Sequence, residues 1–145
     1  MGKFASRWRE RSGLARWPEV VVPGAVQMAQ RDAAWVFDDV PLPLTNPWRR
    51  NVRPVDLEFL EGGRAVVLTF DGDVWSVSGF GTDRAEWRRF ASGLNEPQSL
   101  CVQGGILHVF DRNGIVRLFD TDGDGEADWY ENFCDVVAQS SETRN

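Results

Sequence analysis

The chain has 145 residues, of which 42% are hydrophobic and 12% aromatic, which is enough to bury the core of one domain. Residues 1–18 hold five basic side chains and one acidic side chain, so this head carries a net charge of +4 and the remaining residues carry −10. An acidic body without a basic stripe interleaved with aromatic residues argues against nucleic acid as a partner.

Export and cysteine signals are weak in this sequence. It contains no apolar run of about 18 residues and no apolar segment of the secretory type near its start, so we predict no membrane span and no signal peptide. Cys101 and Cys134 belong to no CxxC or CxxCH pattern, which argues against zinc-ribbon, thioredoxin-like and c-type haem sites. We expect two buried thiols, with one disulfide as the alternative.

The first 54 residues predict little regular structure. Residues 1–18 form a basic extension that could make one short helix or a frayed terminus. Residues 19–54 predict a loose pair of strands, VVVPGAV and AAWVFDDV, followed by PLPLTNPWRRNVRP, whose four prolines exclude a central strand. We expect the main core to begin after Pro54.

Residues 55–145 contain an internal repeat. A shift of 42 residues, without a gap, places Gly62-Gly63 on Gly104-Gly105 and Trp87 on Trp129. The same shift aligns three further pairs: Val67 with Val109, Gly72 with Gly114, and Val74 with Val116. Glycine pairs mark turns that need positive φ, and the β-branched residues between them mark strands.

Each half of the repeat predicts four strands. The first half contains Asp56–Leu60, Arg64–Phe70, Asp73–Ser78 and Glu86–Ala91. The second half contains Gln98–Val102, Ile106–Phe110, Ile115–Phe119 and Asp128–Phe133. Four short strands in 42 residues are typical of a propeller blade, with a plain antiparallel meander or sandwich as the alternative. The predicted fold is all-β: a partial β-propeller of about two four-stranded blades behind an irregular N-terminal extension.

Two blades leave their outer faces open, because closed propellers contain about four to eight. We therefore expect the remaining blades of a longer protein, or another chain, to cover these faces.

Several stretches resemble a known family. The runs LTFDGDVWSVSGF, WRRFASGLNEPQSLCV and FDRNGIVRLFDTDGDGEADWYENF resemble the start of the propeller domain in large exported bacterial proteins related to the glucose/sorbosone dehydrogenases. VPLPLTNPWRRNVRPVDLEFL is also similar to those proteins, so the resemblance covers most of residues 17–145. It implies a six- or seven-bladed propeller, often joined to a c-type cytochrome domain, that oxidises sugars or alcohols in the periplasm or outside the cell.

The resemblance extends to the strands and turns of the fold but not to the family's catalytic residues. The family's catalytic His, with Arg and Asn partners, has no matching motif here, so pyrroloquinoline quinone or haem would belong only to a full-length parent. This chain alone is expected to be a non-catalytic fragment that does not reduce an electron acceptor with sugars or alcohols. The alternative is a non-catalytic, calcium-stabilised β-repeat interaction module.

The stretch DTDGDGEADWYE, residues 120–131, places six carboxylates in twelve residues and matches the calcium-loop spacing D-x-D-x-D-G-x5-E. The predicted ligands are Asp120, Asp122, Asp124, Glu126 through its backbone carbonyl, Asp128 and Glu131. The flanks predict strands and not the helices of an EF-hand, so Glu131 is lost as a ligand if it points across the sheet.

Two other interpretations of this loop compete with a calcium site. The first is a turn of Asp and Gly residues with its charges in water. The second, a glycosidase-like acid/base site, is disfavoured, because all six acids lie in one glycine-bearing loop where we expect them to be solvated.

The remaining candidate residues predict structural roles. His108 aligns with Val66 and is expected to be a packed or half-exposed strand residue. Trp75, Trp87 and Trp129 fall inside predicted strands and are expected in the core, whereas Trp48, in the Pro-rich segment, is a candidate exposed contact.

Overall fold

A computed structural model describes residues 15–32 and 34–136, and within these ranges every regular element is a β-strand. The strands are β1 (Val20–Val21), β2 (Pro54–Leu60), β3 (Arg64–Thr69), β4 (Val74–Ser78), β5 (Glu86–Ala91), β6 (Ser99–Gln103), β7 (Ile106–Asp111), β8 (Gly114–Phe119) and β9 (Trp129–Cys134). They form two antiparallel sheets, in the orders β1-β5-β4-β3-β2 and β6-β7-β8-β9. The predicted all-β class is confirmed. No helix in the described part of the chain has the length and apolarity needed to cross a membrane.

The eight strands predicted after Pro54 all form, with ends within two residues of the predicted positions. The turns between them depend on glycine at particular places. Gly72 and Gly114 have φ values of 90° and 125°, and a Cβ at either position would collide with the backbone carbonyl oxygen of Leu94 or Cys134 respectively. The repeat aligns these two glycines because both turns need glycine: the backbone has positive φ there, and a neighbouring backbone lies where a Cβ would be.

The 42-residue shift carries the pairing of β4 with β5 onto that of β8 with β9, but it fails for the other strand pairs. Val77 pairs with Trp87, and the shifted pair, Phe119 with Trp129, also forms. By contrast, Val67 pairs with Trp75 whereas Val109 pairs with Val116, which is a slip of one residue. Because strand side chains alternate between faces, such a slip moves a side chain to the other side of the sheet.

We call strands β2–β5 unit 1 and strands β6–β9 unit 2, and the two units bury a shared core between them. It is made by Val66, Leu68, Val74, Ala91, Leu94, Leu107, Val109, Leu118 and Ala127. Polar contacts also join the units: Asp56 and Glu58 accept the backbone N–H groups of Leu100 and Val102 at 2.9 and 2.6 Å. The Tyr130 hydroxyl donates to the Ser92 carbonyl and accepts from its N–H, both at 3.0 Å.

A second core covers the outer face of unit 1. The chain before β2 packs Val26 and Val52, with half-buried side chains including Trp48, onto Val67, Trp75, Val77 and Trp87. Trp48 and Trp75 have ring centroids 5.8 Å apart, so the prediction of Trp48 as an exposed contact was wrong. Full burial of a large apolar side chain such as Val stabilises the fold by roughly 1.5–3 kcal/mol.

The N-terminal part of the described chain differs from its prediction. We call residues 16–27 the strap. It pairs through Val20 with Arg88 and through Val21 with Trp87, at the outer edge of β5. The predicted partner segment, residues 34–40, forms no strand, and only an isolated bridge joins Gln27 to Asp39. The prediction for residues 1–14 lies outside the described residues.

The outer face of unit 2 is more open than that of unit 1. Trp129 is 53% exposed and Phe133 49%, so the expectation of Trp129 in the core was wrong. At the centre of this face, the Arg117 guanidinium lies 3.7 Å from the Phe133 ring centroid and its Nε donates to His108 Nε2 at 2.9 Å.

Two smaller predictions have opposite outcomes. His108 is a buried residue of β7, which confirms its predicted packing in a strand. Both cysteines are free, with Cys101 exposed and Cys134 half-buried, so the expectation of two buried thiols was wrong.

Candidate metal site

The acidic loop connects β8 to β9 and is folded around Asp120. The Asp120 carboxylate accepts the N–H groups of Gly123 and Gly125 at 2.6 and 3.0 Å. Both glycines have positive φ, 82° and 91°, which lets the backbone curl tightly enough to point these N–H groups inward. The local sequence of alternating Asp and Gly therefore determines the loop conformation.

The structure brings together Asp120, Asp122 and Asp124: one carboxylate oxygen of each lies within 4.8 Å of the corresponding oxygens of the other two. Asp120 and Asp122 are exposed and Asp124 is half-buried. Three carboxylates this close repel one another, by about 1 kcal/mol per pair at 4 Å in water, unless a cation lies near them. Carboxylate oxygens are hard ligands of the kind that Ca²⁺ takes, so this donor set fits the predicted ion.

The other predicted ligands lie elsewhere. The Asp128 carboxylate accepts the N–H and hydroxyl of Thr121 at 2.8 and 3.0 Å, which closes the base of the loop. Glu131 lies in β9, where one carboxylate oxygen is 3.4 Å from Arg117 Nη1. Neither carboxylate belongs to the cluster of three. The role of the Glu126 backbone carbonyl stays a prediction.

All six acids of the loop were expected to be solvated, but Glu126 is buried, with only 4% of its surface exposed. Its Oε2 accepts the Arg16 N–H at 2.8 Å and its Oε1 accepts the Trp17 N–H at 2.5 Å. The Arg16 guanidinium also donates to the Ala127 carbonyl at 2.5 Å. We call this set of contacts the clip, because it fastens the strap to the loop of unit 2.

The clip is continuous with the aspartate cluster. The Glu126 N–H donates to Asp124 Oδ1 at 2.8 Å, and the next residue, Ala127, donates its N–H to the Phe90 carbonyl at 2.8 Å. No local sequence pattern predicts the clip, because its partners are separated by 109 and 110 residues.

Sequence reasoning also missed a buried group of charges in unit 1. Asp73 is fully buried and accepts from Arg50 Nε at 2.7 Å and from Arg89 Nη2 at 2.8 Å. The Arg89 guanidinium lies 4.4 Å from the Trp17 ring centroid. The buried Asp73 carboxylate therefore anchors the Pro-rich segment through Arg50, and it also binds Arg89, whose guanidinium contacts the strap at Trp17. An Asp beside a turn glycine is common in solvated hairpins, so no local signal predicts this burial.

The pKa shifts outside the cluster include those of Asp71 and Tyr130. Hydrogen bonds from the Arg53 guanidinium lower the pKa of Asp71 below its ordinary value. Burial raises the pKa of Tyr130, although its hydrogen bond to Ser92 opposes the shift. Arg53 is largely exposed, so its pairing with Asp71 contributes only modestly to stability.

Comparison with family models, with curated proteins and with solved structures finds no match to this chain.

Proposed function

We propose that this chain is a non-catalytic β-repeat module that Ca²⁺ stabilises at Asp120, Asp122 and Asp124. The observation that supports this function is the convergence of three carboxylates within 4.8 Å on a loop whose N–H groups fold around Asp120. The ion would neutralise the mutual repulsion of the carboxylates and hold the turn that carries Glu126 into the clip. Its role is structural.

Calcium suits this loop better than magnesium. Ca²⁺ accepts six to eight oxygens in irregular geometry, whereas Mg²⁺ requires near-octahedral coordination and gives up its water reluctantly. Two of the three aspartates are exposed, so water can complete the coordination. A loop between strands has little of the preorganisation of paired helices, so we expect a Kd of about 10⁻⁴–10⁻³ M, as in extracellular modules.

The covered outer face of unit 1 favours a separate module. In a closed propeller each blade packs against a blade on both sides, so this face would meet the last blade. In this chain the strap and the Pro-rich segment occupy it, with Trp75 fully buried and Trp87 3% exposed. The segment before β2 therefore acts as a cap of the kind that ends a row of repeats.

A part of a dehydrogenase-like propeller is the second candidate. It is favoured by the packing of two successive four-stranded meanders face to face around one core, as adjacent blades pack. In that case pyrroloquinoline quinone or haem would be held by the rest of the parent protein. Oxidation of a sugar by this chain alone with added quinone would contradict both candidates, because neither places a catalytic residue or a quinone ligand in this chain.

The calcium proposal is tested by thermal melts of the full chain in Ca²⁺, in Mg²⁺ and in chelator. About 5 mM Ca²⁺ against a Kd of about 0.1 mM adds roughly 2.3 kcal/mol to the free energy of unfolding if only the folded chain binds. For a chain of this size this raises Tm by roughly 5–9 °C. Mg²⁺ should have a much smaller effect.

Asp122→Asn should abolish the rise in Tm, because it removes one of the three converging carboxylates. Asp83→Asn is the matched control: it removes an exposed Asp from a turn outside the cluster and should leave the rise unchanged. If the wild-type melts in Ca²⁺ and in chelator coincide, the cluster is a solvated turn and the calcium proposal fails.

A further inference from the structure

The outer strands of the two units occupy equivalent places but have different neighbours. Trp87 faces Val77 across β4–β5, and Trp129 faces Phe119 across β8–β9 in the same register. The outer edge of β5 is paired with β1, where Val21 lies opposite Trp87. The outer edge of β9 has no strand beside it among residues 15–32 and 34–136.

The tryptophans at these two equivalent places differ in exposure. Trp87 lies under the strap and is 3% exposed, whereas Trp129 is 53% exposed. β9 contains neither proline nor lysine, the residues that commonly protect an edge strand from pairing. Among the described residues no strand pairs with the outward backbone groups of β9, and these groups lie next to an indole ring that is 53% exposed.

The charge around β9 indicates what kind of strand fits there. Residues 118–136 contain seven acidic side chains and no basic one. Three arginines reach this region: Arg16 is engaged in the clip, Arg117 contacts His108 and Glu131, and the guanidinium of Arg88 lies near Gly125. The surroundings of the edge thus keep an excess of negative charge. A second copy of β9 would bring the same acids and be repelled.

We propose that the outer edge of β9 binds an extended basic peptide segment of a partner protein by strand addition. Backbone hydrogen bonds to β9 supply affinity, as in other cases where a peptide extends a sheet. A β-branched side chain opposite Trp129 covers its ring as Val21 covers Trp87, and basic side chains meet the acids of the β8–β9 loop. This inference does not depend on calcium binding.

The test uses the full chain and a fluorescent peptide of about eight residues that alternates Val with Lys, long enough at about 3.3 Å per residue to span β9. Fluorescence anisotropy in chelator should show saturable binding of this peptide and at least tenfold weaker binding of a Val/Glu peptide of equal length. Hydrogen exchange should slow, by about tenfold or more, at the outward amides of residues 129–134 when the Val/Lys peptide is added.

Trp129→Asn should weaken binding by about tenfold, which corresponds to 1.4 kcal/mol. Trp35→Asn is the matched control, since Trp35 is 82% exposed and lies outside unit 2. Equal affinity of the two variants, or slowed exchange elsewhere than at β9, would overturn the proposal. So would strong protection of the outward β9 amides before any peptide is added, because the edge would then already be occupied.

Discussion

Replacing Glu126 by glutamine measures how strongly the clip holds the strap. Glutamine has nearly the same shape, but it keeps one acceptor oxygen and presents an NH₂ group where the second oxygen was. One of the two strap N–H groups, at Arg16 or Trp17, would then face a donor. The variant also removes the charge that lies 3.6 Å from Arg16 Nε.

The magnitude follows from the burial of the carboxylate. Its side chain is only 5% exposed, so loss of one hydrogen bond to the charged group costs about 1.5–3 kcal/mol. The ion pair adds less than about 1 kcal/mol, because Arg16 is 53% exposed. We expect Glu126→Gln to lower the free energy of unfolding by about 3 kcal/mol, or roughly 6–12 °C in Tm.

The assay is urea unfolding followed by tryptophan fluorescence, with hydrogen exchange at residues 16–21 to show whether the strap is released. Glu131→Gln is the control, because Glu131 is 45% exposed and makes a single contact to Arg117 at 3.4 Å. That variant should change stability by less than about 1 kcal/mol. If Glu126→Gln costs no more than Glu131→Gln, the clip does not stabilise the fold and the argument from burial is refuted.

Two further predictions concern the neighbouring aspartates of the β3–β4 turn. Asp73→Asn leaves Arg50 and the buried Arg89 without the counter-charge of a fully buried carboxylate and should cost about 3–5 kcal/mol in urea unfolding; a cost below about 1 kcal/mol would contradict the stabilising role of these two ion pairs. Asp71→Asn tests a pH dependence, because Arg53 lowers the pKa of Asp71 in the folded state. The stability that the Asp71 carboxylate contributes is fully present above its ordinary pKa of 3.8. It is lost as the pH falls through the lowered pKa of the folded state. The urea midpoints of wild type and Asp71→Asn should therefore converge in acid, and a difference that is the same at every pH would contradict this assignment.

The strands after Pro54 could be predicted from the sequence because their signals are local. Alternating apolar residues set the faces, and glycines such as Gly72 and Gly114 set the turns, where positive φ leaves few other residues acceptable. The convergence of Asp120 with Asp122 and Asp124 has the same origin, since alternate residues of one short turn cannot lie far apart.

The inner strands show the limit of a repeat read from sequence alone. The ungapped alignment put His108 on Val66, yet Val66 faces the core between the units and His108 bonds to Arg117 on the opposite face. The slip arises in hairpins whose turns differ between the units, and pairing register depends on turn geometry. A match of residue types over five positions cannot detect it.

Which segment covers which surface was decided only by the tertiary structure. Glu126 receives the strap from more than 100 residues away, Asp73 is buried beneath Arg50 and Arg89, and Val21 pairs with β5. None of these contacts corresponds to a periodic pattern in the sequence. Each depends on which surface stays exposed after the two sheets have packed together. Alternation and turn chemistry act over a few neighbouring residues, whereas burial of a charge depends on the whole packed arrangement.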